Sequence, residues 1–478
     1  MTTSPPPNPQ PTDLSLWRHA DFLRLWGAQV ISAFGSRITR TALPIIAVTT
    51  LGQPGAVLGV LAAMQLVPGV ILAMLAGGFV DRGRKRRILI ASDLVRAGLV
   101  ASLTLAWALG ALTMLQVVIV GACVGAATAL FQITDVAYLP ALIGRRRLVE
   151  GNAKLETTEA IAEITGPASA GVLIAALGAP LAVAIDAVSY AWSAFMLGRI
   201  RAVDGVHPGH PGPPAATAQP PAAAAPTAAP VALVAPVAPV RPIRPDNVDD
   251  VVPVRTGEDF RIGLRAVFGH PLVRPIVLTL MVWSILGGFF MALYTPYCLR
   301  ELGLSEAAFG VIIAMGGIGA LAGALLARTL ARILGVGRTL FATSVLSLTC
   351  TLFIPLAASA TSHAMMIGFL VAHQLLGDGF AVAFTILAVT LRQTVMPRDT
   401  LGRANAAVHV CTIGVAPVAA LIAGGLASLV GFRNAVWIGT LIGLTAPIFV
   451  WRLRHLKDMP AGDLGASDAG LSRSVSRD

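Results

Sequence analysis

Apolar stretches of about twenty residues recur along almost the whole chain, separated by short polar breaks. They fall at about 25–50, 56–80, 88–109, 113–138, 155–177, 180–199, 273–297, 307–331, 338–358, 364–390, 404–430 and 433–452. A helix rises about 1.5 Å per residue, so roughly 20 apolar residues cross a hydrocarbon layer ~30 Å thick. Backbone polar groups must be satisfied internally in that layer, which leaves helices or closed barrels, and these runs are too long and too continuously apolar for barrel strands. The pattern predicts an all-α membrane protein of twelve transmembrane helices, here spans 1 to 12.

Composition agrees. Of 478 residues, 55% are hydrophobic and only 12% charged, against about 25% charged in ordinary soluble domains. A mean hydropathy of +0.77 leaves too little polar surface for a water-soluble globule. The net charge of +11 would suggest a nucleic-acid partner in a soluble chain, but its distribution points to the bilayer instead. The breaks after even-numbered spans and the tails hold Arg82, Arg84 to Arg87 with Lys85 among them, Arg145 to Arg147, Arg199, Arg201, Arg338, Arg398, Arg452, Arg454 and Lys457, whereas the odd-numbered breaks hold Arg300 and Arg433. The positive-inside rule then places both termini in the cytoplasm of a multi-pass cell-membrane protein. An odd span count would destroy this alternation.

Residues 1–24 read as a cytoplasmic tail. The proline-rich start lacks the basic and apolar segments of a signal peptide. Residues 25–200 form one six-helix bundle and 266–455 a second, with a short disordered tail at 456–478. Between them, 201–265 carries thirteen prolines from Pro208 to Pro253 in an Ala/Pro/Val background, a composition that cannot build a packed core. The two bundles resemble each other at a shift of 253 residues: Leu148, Asn152, Ala153, Gly171, Gly178 and Ala182 fall on Leu401, Asn405, Ala406, Gly424, Gly431 and Ala435. A duplicated six-helix unit joined by a linker is the architecture of a rocking transporter with its site between the halves.

The charges inside the spans are the candidate chemistry. Arg37 and Arg40 lie three residues apart on one face of span 1, and an ionised group at that depth is costly unless it is paired or faces a wet cavity. Span 5 supplies Glu156, Glu159 and Glu163 at i, i+3 and i+7, with Glu163 approaching the depth of Arg37. Carboxylates whose environment changes as a cavity opens to alternate sides meet the requirement for proton coupling. Glu163 and Glu159 are the first candidates, Asp135 and Asp378 the next, and Arg37 and Arg40 their cationic partners. A structural ion pair that fixes helix register is the other reading. Trp283, Gly287, Phe290, Tyr294 and Tyr297 form an aromatic stripe on span 7. Phe131 and Gln132 in span 4 and Phe384 in span 10 are further aromatic or polar candidates for a substrate cavity, unless these rings pack against helices or lipid. His363, His373 and His409 read as structural.

Gly77, Asp81, Arg82, Lys85, Arg86 and Arg87 resemble the Gly-x-x-x-Asp-Arg loop of the major facilitator superfamily. Asp93 with Arg96, Pro140 with Arg145 to Asn152, Gly166-Pro167-Ala168-Ser169-Ala170-Gly171 and Gly402-Arg403-Ala404-Asn405 are similar to its enterobactin-exporter and macrolide-efflux branch. The resemblance spans about 18–455 apart from the linker. It implies that Gly77, Asp81, Arg82, Lys85, Arg86, Asp93 and Arg96 belong to a latch that breaks and reforms between the halves. Anchoring of the basic loop at anionic headgroups is the alternative. In the family, a Gly-Pro motif in span 5 accompanies export. Gly166, Pro167 and Gly171 are therefore hinge and packing candidates, with Pro417 the second-half counterpart. The resemblance also places the span 7 stripe on the central cavity.

No phosphate-binding loop or zinc-protease motif is present. Cys123, Cys298, Cys350 and Cys411 lack paired spacing and read as small buried residues, with no disulfide framework and no metal site. The expected activity is export of small amphiphilic molecules, drug-like or siderophore-like, driven by a proton gradient, with no cofactor and no nucleic acid. The expected partners are the lipid bilayer, protons and a small-molecule substrate, and the chain is expected to be a monomer. Uptake or facilitated movement of a specific solute, and a non-transporting sensor or scaffold, are the alternatives. Deleting residues 207–253 is expected to leave transport largely unchanged; an inactive deletion product in a substrate-flux assay would show that the linker does more than connect.

Overall fold

The computed structural model describes residues 16–75, 80, 83–144, 147–201 and 256–456. Among them there are helices and no strands. Spans 1 to 6 are α1 (Ala20–Ile45), α2 (Gly55–Leu75), α3 (Lys85–Ala108), α4 (Met114–Ile143), α5 (Leu148–Leu177) and α6 (Ala179–Gly198). A short helix, α7 (Thr256–Gly269), begins inside the stretch read as linker, and α1 starts within the stretch read as tail. Span 7 is α8 (Val273–Pro296) and span 8 is α9 (Glu306–Leu334). The last four spans are interrupted: α10 (Val336–Thr351) with α11 (Phe353–Ala357), α12 (His363–Ala372) with α13 (Asp378–Val395), α14 (Arg398–Ile413) with α15 (Val415–Val430), and α16 (Phe432–Gly443) with α17 (Pro447–Val450). Among the described residues, ten segments are long and apolar enough to cross a membrane. Spans 1 and 5, which carry Arg37 and the acidic stripe, are helices of 26 and 30 residues outside those ten.

Leu16 lies against Glu150 and Leu456 against Gly337, so the described chain starts and finishes at one end of the bundle. This is the basic end, and the opposite one is the distal end. Spans 1 and 7 finish alike at the distal end. Each is followed by a five-residue π turn, Ile46–Thr50 and Tyr297–Glu301. The bonds correspond pair by pair: Leu51 donates to Ile46 and Gln53 to Ala47, as Leu302 does to Tyr297 and Leu304 to Cys298. The duplication read from the sequence is therefore also present in local backbone geometry.

The halves meet through close helix crossings. Span 5 packs on span 8, and span 2 on α15. A methyl on Gly171 would stand 2.5 Å from the Cα of Gly310, and one on Gly59 would stand 2.6 Å from the carbonyl oxygen of Ala420 and 3.0 Å from the Cα of Gly424. Small residues permit such approach where a side chain would hold helices apart. The repeat-related pair Gly171 and Gly424 thus lies at two equivalent crossings. Two polar contacts join the same region. The Ala56 amide donates to Ser428 Oγ at 3.0 Å, and the guanidinium of Arg300 donates to the carbonyls of Gln53 at 2.5 Å and Val48 at 2.9 Å.

The hydrophobic core follows this closure. Its largest cluster contains residues of both halves, all from the distal parts of the spans. Toward the basic end the clusters separate. Leu25, Leu89 and Leu142 belong to an N-half cluster, while Leu340 and Leu391, and Val273 and Ala404, belong to C-half clusters. Among the described residues, the core is shared by the halves distally and separate for each half at the basic end.

Gly171→Leu is expected to force the distal crossing apart. Overpacking of this kind costs about 1–3 kcal/mol, so the melting temperature falls and a Ser428→Cys thiol reacts faster with an impermeant maleimide. Unchanged melting and labelling would contradict the close-packed crossing.

Candidate functional site

The N-half buries a polar network inside apolar helices. On span 1, Arg37 is 6% exposed and its Nη2 lies 2.5 Å from Glu159 Oε1 of span 5. The Arg37 stem rests on Gly166, where a methyl would stand 2.5 Å from its Cγ. The acidic stripe reaches Arg37 through Glu159, which remains half-exposed. Glu163 lies in the same helix and its side chain is outside the described residues, as is that of Glu156. Arg40, one turn beyond Arg37, is exposed.

Spans 3, 4 and 6 add a second cluster. Arg96 forms a buried ion pair with Asp93, and Ser193 Oγ donates to the other Asp93 oxygen at 2.6 Å. The Arg96 guanidinium lies over the rings of Phe131 at 4.6 Å and Tyr190 at 4.3 Å, so charge, hydrogen bonding and cation–π contact together offset its desolvation. Beside this cluster, Asp186 of span 6 is 0% exposed. It accepts from Thr39 of span 1 and from Ser189 Oγ at 2.9 Å. Asp135 is half-buried against Gln29.

The C-half presents aromatic rings instead. Trp283 packs on Phe384 at 4.8 Å between centroids, Phe290 meets Tyr294 edge-on at 6.2 Å, and Tyr294 lies 5.7 Å from Phe309. Across from the stripe, span 10 is interrupted by a π turn at His373–Gly377, and such bulges often accompany function. Phe290 is 6.4 Å from His373. Asp378 follows the turn, its Oδ2 2.5 Å from where a methyl on Gly316 of span 8 would sit. The freed backbone is re-bonded by Ser347 Oγ, which donates to the Gly377 carbonyl at 2.9 Å. Among the described residues, no group of three or more His, Cys, Asp and Glu is placed to hold a metal ion.

A family model described as Major Facilitator Superfamily matches residues 25–411. The chain belongs to the major facilitator superfamily. Membership makes it a membrane transporter rather than an enzyme. Solved structures agree on the fold. A bacterial homologue of the iron transporter ferroportin in an inward-facing state is 16% identical with a TM-score of 0.60, covering 92% of this chain and 100% of that one. A bacterial homologue of the human lysosomal transporter Spinster, inward-facing and unoccupied, gives 12% identity and a TM-score of 0.62, covering 92% and 98%. The nucleoside transporter NupG gives 10% and 0.59, covering 91% and 100%. No curated protein sequence matches the chain.

Within this superfamily fold, several expected residues take other places. Phe131 is buried under Arg96, and Phe384 is 0% exposed beneath Trp283, so neither ring is an open cavity wall. Gln132 is exposed, on a different face from Phe131. Of the expected latch, Gly77, Asp81 and Arg82 lie outside the described residues. Arg86 closes span 6 within its own half, donating to the carbonyls of Leu197 at 2.9 Å and of Gly198, where a cation suits the helix C-terminus. Lys85 opens span 3 beside it. Asp93 and Arg96 form an internal pair rather than a contact between halves. Span 5 runs unbroken through Pro167, whose side chain is not described, whereas span 11 breaks at Gly414, three residues before buried Pro417. Pro417 has no N–H for the carbonyl of Ile413, which accounts for the break on that side.

Asp186 is the residue that sequence reasoning passed over. The signal was present: Asp186, Ser189, Tyr190 and Ser193 recur at i, i+3, i+4 and i+7 on an otherwise apolar helix, one polar face pointing inward.

The Arg37–Glu159 pair is asymmetric in burial, and its single variants should be unequal. Arg37→Met leaves a carboxylate that water reaches, whereas Glu159→Ala removes a carboxylate 2.5 Å from a buried guanidinium, and breaking a buried pair costs up to about 3–5 kcal/mol. Thermal unfolding in detergent is expected to show the larger decrease for Glu159→Ala; the reverse order would contradict the pair's geometry.

Proposed function

We propose that this transporter exports small amphiphilic molecules, drug-like or siderophore-like, in exchange for protons. The basic end then faces the cytoplasm of a cell membrane, with both termini there. In that orientation the described conformation is inward-open, the state in which an exporter takes up cargo from the cytoplasm or inner leaflet. The observation that carries the proposal is the division of labour between the halves. The N-half holds ionisable groups in a bonded network, and the C-half holds an aromatic stripe suited to a bulky amphiphile. Arg37 and Glu159 provide charge that responds to movement of spans 1 and 5. Trp283, Phe290 and Tyr294 provide the surface for cargo, with Asp378 beside them. The likeness of the span 3 to 5 segments to the enterobactin-exporter and macrolide-efflux branch supports this cargo class. Energy comes from the proton gradient, with no cofactor, and the unit is a monomer in the bilayer.

Energised inverted vesicles expose the basic end, and a pH-sensitive dye reports their gradient. Lipophilic cations, macrolides or siderophores are expected to collapse that gradient through the wild-type protein and not through Arg37→Ala, with labelled substrate accumulating inside. Substrate movement in the opposite direction would replace export by uptake. Equal responses from wild type and Arg37→Ala would remove the N-half network from coupling.

A further inference from the structure

We infer that Asp186 carries the coupling proton, held by hydroxyl groups that satisfy its carboxyl group in both protonation states. The inference rests on the proton-coupled reading above and names the residue that reading lacks. A carboxyl group buried away from water must be hydrogen-bonded, and a proton carrier must be so before and after it takes up the proton. The groups around Asp186 meet that condition. Ionised, it accepts from Thr39 Oγ1 on one oxygen and from Ser189 Oγ on the other.

Ser189 Oγ has a second acceptor within reach. It lies 2.9 Å from Asp186 Oδ1 and 2.8 Å from the backbone carbonyl oxygen of Asp186. A hydroxyl has one hydrogen and two lone pairs. When a proton adds to Oδ1, the new O–H donates to Ser189 Oγ, and the Ser189 hydrogen turns to the carbonyl. Thr39 continues to donate to Oδ2. One proton enters, one O–H bond forms, and no heavy atom has to move; the reverse step releases the same proton.

The surrounding charges are already committed or lie to one side. Span 3 contributes Asp93 and Arg96, bound to each other, and span 6 itself contributes Tyr190, which lies against Arg96. Span 1 contributes Arg37, bound to Glu159 of span 5, and the exposed Arg40. The two carboxylate hydrogen bonds of Asp186 both come from neutral hydroxyls. Asp135 of span 4 lies against Gln29.

Span 1 links this site to the alternation between the halves. Thr39 binds Asp186 within the N-half, and Val48, nine positions later, accepts from Arg300 of the C-half. Gly35 allows the approach, since a methyl there would stand 2.4 Å from Asp186 Oδ1. Opening of the distal contact moves the helix that supplies one of the two hydroxyls, and so changes the bonding of the carboxyl group.

The test uses reconstituted full-length protein and the siderophores, macrolides and lipophilic cations named above. Asp186→Asn keeps the shape and can bond both hydroxyls, but cannot bind or release a proton. It is expected to lose substrate-driven proton movement and uphill export by about tenfold or more, while keeping substrate counterflow, which needs no net proton step, near the wild-type rate. Should Asp186→Asn fail to accumulate, infrared difference spectra of the wild type between acid and alkaline pH should contain a protonated-carboxyl band that shifts in Thr39→Val. A folded Asp186→Asn that remains coupled, one that loses counterflow along with coupling, or a band unchanged by Thr39→Val would overturn the assignment. A wild type that moves no protons with any of these substrates would overturn the coupling reading and this assignment with it.

Discussion

The arrangement depends on backbone meeting backbone where no side chain intervenes. Gly171 against Gly310, and Gly59 against Gly424, let the helices of opposite halves approach more closely than any Cβ would permit. Dispersion energy rises steeply with such proximity, and within lipid there is no hydrophobic force to substitute for it. The contacts lie at one end of the spans, and the shared core forms at that same end. The halves meet through spans 2, 5, 8 and 11 at these crossings.

Charges inside each half obey a second constraint. Hydrocarbon tolerates an ionised group only with partners in place. The N-half meets this with interlocking bonds: span 1 holds span 5 through Arg37 and span 6 through Thr39, while span 3 holds span 6 through Asp93 and Ser193. These helices are therefore coupled to one another more tightly than apolar packing alone would make them. The C-half has fewer charges and more interruptions, and its span 10 stores its irregularity in a π turn that Ser347 stabilises. The two copies of one ancestral unit have diverged in chemistry while keeping matched ends to spans 1 and 7.

Much of this was legible in the amino-acid order, because span length and basic-residue alternation are imposed by the bilayer along the chain itself. The repeat shift also singled out Gly171 and Gly424 before their shared position was visible. What the sequence did not reveal was pairing across distance. Arg37 pointed to span 5, but the contact with Glu159 depends on the rotation of both helices. Phe131 and Phe384 have the composition of cavity walls, and only packing shows that Arg96 and Trp283 cover them. Asp186 stood alone in a hydrophobic run with no charged neighbour in sequence, since its partners come from span 1 and from its own helix one turn on. The cap that Arg86 places on span 6 was hidden for the same reason: its acceptors lie more than a hundred residues away.

The distal contact made by Arg300 has an evolutionary consequence. Its acceptors are main-chain carbonyls at Val48 and Gln53, and every amino acid presents a carbonyl. Drift at those two positions leaves the acceptor groups in place, whereas a single codon change at position 300 removes the donor. The position matched to Arg300 through the two π turns is Thr49, so the duplicated unit retained no second copy of this donor. Selection on the balance between the two conformations therefore has one accessible point of adjustment here, separate from the residues that would meet cargo or protons.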